Sequence, residues 1–236
     1  MSSSPQMASE IALIVGAGKG LSASLARVCA KRRMKVALAA RNTEKLSALV
    51  AETGALAYAC DASQPAAVQA LFRAVEADLG APTLVVYNAS ARSRGPFVEL
   101  DPAGVAKALE VSAYGGFLVA QEAAKRMLAA GRGTILFTGA SASVKGYAQS
   151  APFAMGKFAL RGLAQSMARE LAPKGIHVGH FVVDGGIRQP GETRAERGAD
   201  GFLDPDAIAQ TYLQIHDQPR SAWTWEVELR PWTETF

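Results

Sequence analysis

The stretch Ile11-Ala-Leu-Ile-Val-Gly16-Ala-Gly18-Lys19-Gly20-Leu21-Ser22 joins an apolar run directly to a glycine-rich turn. The apolar run predicts a buried strand, and a helical apolar repeat that starts at Leu21 predicts a helix directly after the turn. Glycines let the backbone approach a pyrophosphate, and a helix N-terminus presents N–H donors to it. The spacing departs from G-x-G-x-x-G because Leu21 takes the last glycine position. The stretch predicts a phosphate-binding turn, and a tight connection without a ligand is the alternative.

The rest of the chain alternates short apolar runs with helical apolar repeats. The predicted strands are residues 11–15, 36–40, 55–60, 84–87, 135–138, 177–183 and 224–229. Predicted helices include residues 45–52, residues 102–110 with 116–128 as one long or broken helix, and a helix that starts at Asp204. Such alternation implies a parallel sheet covered on both faces. We therefore predict one doubly wound (Rossmann-type) α/β domain over residues 10–236, with a mostly parallel sheet of about seven strands, after a flexible tail of residues 1–9.

The composition excludes several classes of protein. With 49% hydrophobic and 19% charged residues among 236, the chain can form a packed core, which excludes intrinsic disorder. No apolar run approaches the ~20 residues that span a bilayer, and the N-terminus lacks the regions of a signal peptide, so we expect no membrane association. Cys29 and Cys60 lie among apolar residues and are too few for a disulfide framework. We expect two buried thiols and a cytoplasmic location.

The charged residues favour a small anionic ligand. The net charge is +4, but the cations are scattered without interleaved aromatic residues, so no nucleic-acid partner is expected. After the second predicted strand, Ala40 is followed by Arg41, where an acidic residue would bind a ribose diol and repel a 2′-phosphate. A guanidinium is suited to bidentate phosphate contacts, and Lys19 in the turn adds a second cation. This pattern favours NADP(H) over NAD(H), with two solvated surface cations as the alternative.

Three further segments accompany the glycine turn. Residues 61–62 place an acid after the third predicted strand, residues 88–90 read Asn-Ala-Ser after the fourth, and residues 183–187 read Val-Asp-Gly-Gly-Ile after the sixth. With these segments the chain resembles the short-chain dehydrogenase/reductase family of the single-domain type over roughly residues 10–190, with Ser22, Ser90 and Asp184 as departures from its motifs. The resemblance implies an NADP(H) site formed by Gly16, Gly18, Lys19, Gly20, Leu21, Arg41, Asp61, Ala62, Asn88, Ala89, Ser90, Lys157, Gly185 and Ile187.

The catalytic positions of that family are replaced in this chain. The resemblance places the Tyr-x-x-x-Lys step on Phe153 and Lys157, the serine on Ala140 and the asparagine on Ser112, although a shift by one residue would restore Ser141. Hydride transfer to a carbonyl builds negative charge on oxygen, and losing a positioned acid costs about 10²–10⁴ in rate. Lys157 is the one catalytic residue retained, and its implied role is to bind the nicotinamide ribose hydroxyls.

Other polar groups could supply the missing proton. Tyr147 and Ser141 follow the fifth predicted strand in a loop that faces substrate in that family, although the favoured interpretation of Tyr147 is a half-exposed loop aromatic. Asp184 could donate a proton if it is desolvated, or accept backbone N–H bonds at the strand end. Tyr114 lies two residues from Ser112 and therefore points to another helix face.

The histidines predict no metal site. His177 and His180 differ by three positions within a predicted strand, so their side chains face opposite sides of the sheet. His216 is expected on the surface of the last helix. No Ser/His/Asp arrangement, Cys/His arrangement or metal-ligand spacing can be assembled by motif, which argues against a hydrolase.

Two functions stay open. The first is an oxidoreductase with a non-standard or missing proton donor, acting on an unknown small molecule. The second is a catalytically inactive NADP(H)-binding sensor or oligomer scaffold. The resemblance implies a homodimer or homotetramer that pairs helices 102–128 and 152–171, and a polar, mobile segment 187–203 over the substrate. The aromatic residues 221–232 are expected to cap the sheet edge or form an oligomer contact, with a ligand lid as the alternative.

Overall fold

Seven strands form one sheet in the computed structural model, which describes residues 10–189, 191, 198 and 200–234. The strands are β1 (Ile11–Val15), β2 (Lys35–Ala40), β3 (Leu56–Ala59), β4 (Leu84–Tyr87), β5 (Gly133–Thr138), β6 (Ile176–Val183) and β7 (Glu226–Leu229). Their order is β3-β2-β1-β4-β5-β6-β7, and every neighbouring pair is parallel. This order is the doubly wound topology, so the predicted fold is confirmed.

Helices cover both faces of this sheet. In the described residues the α-helices are α1 (Leu21–Lys31), α2 (Ser47–Thr53), α3 (Pro65–Asp78), α4 (Pro102–Leu109), α5 (Gly115–Ala130), α6 (Ala151–Leu171) and α7 (Pro205–His216). Leu25 of α1 and Tyr212 of α7 belong to the core on one face. Phe72 of α3, Val119 of α5 and Leu160 of α6 belong to the core on the other. None of the helices in these residues is both long and apolar enough to cross a membrane.

The side chains of β1 explain why its sequence is apolar without interruption. Ala12 and Ile14 contribute to the core beneath α1 and α7, whereas Leu13 and Val15 contribute to the core beneath α3, α5 and α6. Successive side chains of a strand point to opposite faces, so a strand buried on both sides requires an apolar residue at every position. The run before the glycine turn is therefore the central strand of the sheet.

A widened helical turn connects α4 to α5. Residues Glu110–Tyr114 form a π-helical turn, so the region predicted as one long or broken helix is continuous but locally widened. Ser112 in this turn is fully buried, whereas Tyr114 is exposed, and the two side chains face different directions as predicted. The Tyr87 hydroxyl donates to the Val111 carbonyl and ties the turn to the end of β4.

Other predicted boundaries shift by a few residues. β3 is shorter than the predicted 55–60, and the predicted helix 45–52 is a 3-10 turn, Glu44–Leu46, followed by α2. The start of α7 agrees with the prediction, because the Asp204 carboxylate accepts a hydrogen bond from the Asp206 N–H at 2.7 Å. The predicted tail of residues 1–9 lies outside the described residues, as do residues 190, 192–197 and 199 of the polar segment.

The prediction that His216 lies on the surface is wrong. Its side chain is 8% exposed, and Nδ1 lies 2.8 Å from Thr134 Oγ1 at the start of β5. The last turn of α7 packs beside the sheet, which the polarity of the residue did not indicate. Cys29 and Cys60 are buried as predicted, and burial raises the pKa of the Cys29 thiol to about 12 and that of Cys60 to about 11.

The aromatic C-terminal segment builds the edge of the sheet. β7 pairs with β6 along its whole length, in agreement with the predicted role at the sheet edge. Trp223 stacks on His177 with ring centroids 4.7 Å apart, and its Nε1 donates to the Gln218 carbonyl at 3.0 Å. The segment is therefore held by ring stacking as well as by strand pairing.

A buried polar network joins β6, β7 and the loop after β5. Ser143 Oγ lies 3.3 Å from His180 Nε2, His180 Nδ1 lies 3.0 Å from Glu226 Oε2, and Arg161 donates to both Glu226 oxygens. This is a Ser/His/Glu arrangement that no sequence motif predicted, because its members come from three separate segments. Ser143 and His180 are both 0% exposed, so no substrate reaches them in this structure. The network serves instead to support the loop, since Ser143 Oγ also accepts from the Ala140 N–H at 3.1 Å.

The network makes the stability of the fold depend on pH. Burial lowers the pKa of His180 to about 4, against a partly compensating effect of the Glu226 charge. In the unfolded chain the pKa returns to ~6.5, so the unfolded state binds the proton first as the pH falls. The stabilisation by neutral His180 is therefore complete above pH ~6.5. It is lost as the pH falls toward about 4, the pKa of His180 in the folded protein.

We expect acidification from about pH 7.5 to about pH 5.5 to lower the free energy of unfolding by about 1 kcal/mol through His180 alone. Denaturant unfolding of the wild type and of the His180→Gln variant at both pH values measures this difference. The His216→Gln variant is the matched control for the loss of one imidazole. If His180→Gln loses as much stability on acidification as the wild type, His180 is not the titrating group.

Candidate functional site

The glycine turn lies at the carboxyl end of the sheet, between β1 and β4. Gly16 has a positive φ of 85°, and a Cβ there would lie 2.3 Å from the Ala89 backbone nitrogen. Only glycine therefore fits at this position. The turn after β1 and the segment after β4 are in direct backbone contact, so the motif residues of the two strands form one site.

Ser22 reinforces this contact. Its hydroxyl donates to the Gly16 carbonyl at 3.0 Å and accepts from Asn88 Nδ2 at 2.7 Å, and the side chain is 2% exposed. Ser22 replaces a glycine of the motif, and sequence reasoning treated it only as a departure. In the structure its hydroxyl satisfies two buried polar groups at once.

A cavity of about 360 Å³ opens beside the turn, and we call it the β2-side cavity. The predicted residues that line it are Gly16, Arg41, Asp61, Ala62, Asn88, Ala89 and Ser90. Asn42 and Lys45 also line it, and sequence reasoning missed both. Lys45 belongs to the 3-10 turn Glu44–Leu46 that follows β2, and no motif in the sequence marks it. Three polar or cationic side chains therefore stand together where β2 ends.

Asp61 lies in the same cavity, and its surroundings favour the ionised carboxylate. Its Oδ1 accepts hydrogen bonds from the Ser63 N–H at 3.0 Å and the Ser63 hydroxyl at 2.7 Å. These bonds hold the pKa of the Asp61 carboxyl below its usual range, and the charges of Lys107 and Arg41 act in the same direction. The carboxylate is an acceptor for a hydrogen-bond donor at the cavity wall.

A second cavity of about 340 Å³ continues from the first toward β6, and we call it the β6-side cavity. The predicted residues that line it are Asn88, Ser90, Ala140, Phe153, Lys157, Gly185 and Ile187. Ala140 lines this cavity and Ser141 does not, which agrees with the predicted alignment and argues against a shift by one residue. The structure therefore brings the replaced positions and Lys157 together in one crevice.

Four predicted cofactor residues line neither cavity: Gly18, Lys19, Gly20 and Leu21. Lys19 is exposed, and Leu21 packs into the core beneath α1. Gly20 directly precedes α1, and a Cβ there would lie 3.3 Å from Gln189 Oε1. Leu21 can contribute only its backbone to a ligand, since its side chain is buried.

Lys157 is buried at the base of the β6-side cavity. The side chain is 3% exposed, and Nζ donates to the Thr138 carbonyl at 2.7 Å. Burial lowers the pKa of Lys157 to about 7, and the charge of Arg92 adds to the effect. The Arg92 guanidinium lies 4.2 Å from the centroid of the Phe153 ring. Arg92 is a further residue that sequence reasoning missed, because it lies two positions after the Asn-Ala-Ser segment with no motif of its own.

The residue at the predicted asparagine position has a structural role here. Ser112 Oγ accepts from the Ala91 N–H at 3.2 Å and lies 3.3 Å from the Ala91 carbonyl. A Cβ on Gly156 of α6 would lie 2.8 Å from Ser112 Cβ, so the two helices are closely packed at this point. Ser112 therefore holds the segment after β4 against α6.

The residues predicted as substitute proton donors lie in different surroundings. Tyr147 and Ser141 line a third cavity, which Arg92 and Phe153 share with the β6-side cavity. Asp184 lies beside two cations, with its Oδ2 3.4 Å from Lys145 Nζ and 3.3 Å from Arg230 Nη2. Its role as a proton donor or as a backbone acceptor stays a prediction.

No group of three or more His, Cys, Asp or Glu side chains in the described part of the chain is placed to hold a metal ion. The polar groups of the crevice are cations, hydroxyls and amides, with Asp61 as the acid. Such a donor set suits an anionic organic ligand with hydroxyl groups.

Comparisons with known proteins agree with this geometry. The model of the short chain dehydrogenase family matches residues 10–196. A D-threitol dehydrogenase of Mycolicibacterium smegmatis is 30% identical over 174 residues, which cover 72% of this chain and 67% of that protein. The crystal structure of a short-chain dehydrogenase from Rhodopseudomonas palustris is 36% identical with a TM-score of 0.83, covering 94% of this chain and 99% of that one.

A metagenomic short-chain oxidoreductase solved in complex with NADP is 29% identical, with a TM-score of 0.82 over 94% of this chain and 97% of that one. The family match includes the glycine turn, Asp61, the Asn88 segment and Lys157. The resemblance inferred from the sequence motifs is thereby confirmed. This chain belongs to the short-chain dehydrogenase family of oxidoreductases.

Proposed function

We propose that the chain is an NADP(H)-dependent oxidoreductase that interconverts a carbonyl compound and an alcohol. The observation that carries the proposal is the continuous crevice formed by the β2-side and β6-side cavities. Its β2 end presents Arg41, Asn42 and Lys45, and its β6 end presents Lys157 beside Phe153. The metagenomic relative with bound NADP adds support.

The residues of the crevice fit this cofactor. The glycine turn and the start of α1 offer backbone N–H groups to a pyrophosphate. No acidic residue follows β2, where a carboxylate would repel a 2′-phosphate, and Arg41 and Lys45 can pair with one. Asp61 would accept from the adenine amino group, and Lys157 would donate to ribose hydroxyls. The predicted cofactor residues of the glycine turn would then act mainly through their backbone.

The Arg41→Asp variant tests the choice of cofactor. We expect it to weaken NADPH binding and to lower the preference for NADPH over NADH at least tenfold, because it replaces an ion pair with a repulsion. Fluorescence titration with both reduced cofactors measures the two dissociation constants. Lys35→Asp, which changes the charge equally outside the crevice, is the control. An unchanged preference would refute the assignment of Arg41, and no NADPH binding by the wild type would refute the function itself.

Bound NADPH supplies a hydride to the carbonyl carbon, so the protein must provide a proton for the oxygen. Phe153 and Ala140 carry no exchangeable proton. Among the described residues that line the β6-side cavity, Lys157 is the one whose pKa lies near neutrality. General acids work best when their pKa is close to the working pH. We therefore assign the proton to Lys157 Nζ, in addition to its binding role.

We expect one lysine of the cofactor-free protein to titrate near pH 7, because burial and the Arg92 charge oppose the ammonium form. Nuclear magnetic resonance of protein labelled at lysine Cε follows each side chain through the titration. The low-pKa resonance should be absent from the Lys157→Met variant. If every lysine titrates at the ordinary value, Lys157 is not a neutral-pH acid.

The Ala140→Ser, Phe153→Tyr double variant separates the enzyme from the inactive alternative, an NADP(H)-binding sensor or scaffold. We expect the wild type to reduce members of a carbonyl panel slowly, and the double variant to be faster by about 10²–10⁴ because it gains a phenolic acid and a hydroxyl. NADPH consumption measures both rates. Phe158→Tyr, which adds a hydroxyl on an exposed face of α6, is the control. Activity in the double variant alone, with NADPH bound by both proteins, would favour the inactive alternative.

We also propose that the chain forms a homodimer or homotetramer through α4, α5 and α6. The support is a set of exposed apolar side chains on these helices and the turn between them: Tyr114, Phe117, Met155 and Phe158. Tyr114 and Phe117 stack with ring centroids 6.2 Å apart. Aromatic residues on an exposed face are typical of interfaces between protein chains. The two unbridged cysteines support a reducing, cytoplasmic setting.

A further inference from the structure

The third cavity, which we call the loop cavity, has a volume of about 360 Å³ and adjoins the β6-side cavity. It lies between the segment after β4 and the loop that precedes α6. Arg92, Arg94, Ser141, Tyr147, Gln149 and Phe153 contribute to its wall. The Gly95 N–H donates to the Gln149 carbonyl at 3.2 Å and joins the two segments that form the cavity. The two walls are therefore joined by a backbone hydrogen bond.

The loop cavity has an excess of positive charge. Arg92 and Arg94 line it, and no aspartate or glutamate lines either it or the β6-side cavity among the described residues. Within these residues no carboxylate forms a salt bridge with Arg92 or Arg94. Lys145, which belongs to the same loop as Tyr147, is engaged by Asp184 at 3.4 Å. Among the described residues, the two guanidiniums therefore line the cavity without a carboxylate that pairs with them.

The two guanidiniums also act on each other. Burial lowers the pKa of Arg92, and the charge of Arg94 lowers it further. Two like charges held close together in a partly desolvated wall are unfavourable unless an anion joins them. Hydroxyl and amide donors on Ser141, Tyr147 and Gln149 stand beside them. This donor set suits a carboxylate or a phosphate group.

Phe153 connects the charged wall to the proposed reaction site. The Arg92 guanidinium carbon lies 4.2 Å from the Phe153 ring centroid, and Lys157 Nζ lies 5.8 Å from the same centroid. The stacking holds the guanidinium over the ring, where it borders both cavities. A substrate whose carbonyl faces Lys157 therefore has Arg92 in the wall of the same cavity, stacked on the same ring.

We propose that the substrate is a small carbonyl or alcohol compound that carries a carboxylate or phosphate group, and that Arg92 and Arg94 bind this anion in the loop cavity. The proposal rests on the proposed function, because it assigns the reacting carbon to the β6-side cavity. In this arrangement the anion occupies the loop cavity, and the reacting carbon lies in the β6-side cavity. Phe153 lines both cavities. Neutral carbonyl compounds of the same size lack the group that these two arginines bind.

Bound anion would also affect the proton donor. The charge of Arg92 contributes to the low pKa of Lys157, and an anion that neutralises Arg92 removes that contribution. Lys157 would then retain its proton more strongly in the substrate complex than in the cofactor-free protein. Binding of the correct substrate thus favours the protonated form that carbonyl reduction requires.

The test compares anionic compounds with matched neutral ones. Levulinate is paired with methyl levulinate, and dihydroxyacetone phosphate with dihydroxyacetone, so that the two pairs distinguish a carboxylate from a phosphate. Calorimetry measures the binding of each compound to the protein with and without saturating NADP⁺, and kcat/KM is measured with NADPH. We expect the anionic member of at least one pair to bind at least tenfold more tightly and to show a higher kcat/KM.

Arg92→Gln and Arg94→Gln should each reduce this preference to about threefold or less, and Arg94→Gln, which lies outside the β6-side cavity, should leave the dissociation constant for NADPH unchanged. Arg73→Gln on α3, outside both cavities, is the matched control for the loss of one charge and should keep the preference. The proposal of an anionic substrate would be overturned by equal affinity for the anionic and neutral members of each pair, or by a preference that survives in both Arg92→Gln and Arg94→Gln. If the protein still binds NADPH, the proposed function is unaffected by either result.

A protein that fails to bind NADPH would refute the proposed function, and the calorimetry without cofactor would still decide whether the two arginines bind anions. A preference that Arg92→Gln and Arg94→Gln abolish in that measurement supports the anion site alone. Far-ultraviolet circular dichroism of each variant verifies that it remains folded. If Arg92→Gln is unfolded, the Arg94→Gln and Arg92→Lys variants are compared with the wild type instead.

Discussion

The site depends on one topological constraint, which is that the chain leaves the neighbouring strands β1 and β4 toward opposite faces of the sheet. Leu25 of α1 packs on one face and Val119 of α5 on the other, so a crevice opens between the two strand ends. Direct backbone contact between Gly16 and Ala89 closes the bottom of this crevice. The Ser22 hydroxyl, which bonds to both Gly16 and Asn88, holds the two segments in register. Every proposed contact to a nucleotide relies on this arrangement.

The chemistry of the crevice follows from desolvation as much as from residue identity. Lys157 is buried with the Thr138 carbonyl as its hydrogen-bond acceptor, and no carboxylate in the described part of the chain lines its cavity. A carbonyl dipole compensates only part of the cost of burying an ammonium, so the pKa falls toward neutrality. A phenol at position 153 would ordinarily carry the transferable proton in this family, and its absence leaves the lysine as the group with a pKa in the useful range. The same residue can therefore bind and, in the proposed mechanism, protonate.

The sequence predicted the fold because its signal is local. The apolar run of β1 and the glycines after it can be recognised from neighbouring residues alone. The same holds for the helical apolar repeats and for the N-terminal cap at Asp204. Parts of the site were not predictable in this way. The Ser143–His180–Glu226 network joins residues that are distant in the chain, and Arg92 belongs to no motif. His216 appeared to be a surface residue because nothing in its own segment indicates that the helix end packs against Thr134.

The replacement of tyrosine by Phe153 therefore changes more than a proton donor. A phenylalanine ring offers its negative face to cations and no hydrogen bond at its edge. Arg92 lies over that ring, and its charge contributes to the low pKa of Lys157. In the proposed enzyme the anion-binding arginine and the proton-bearing lysine both lie over the same ring, and the electrostatic coupling between them makes the availability of the proton depend on the charge of the substrate.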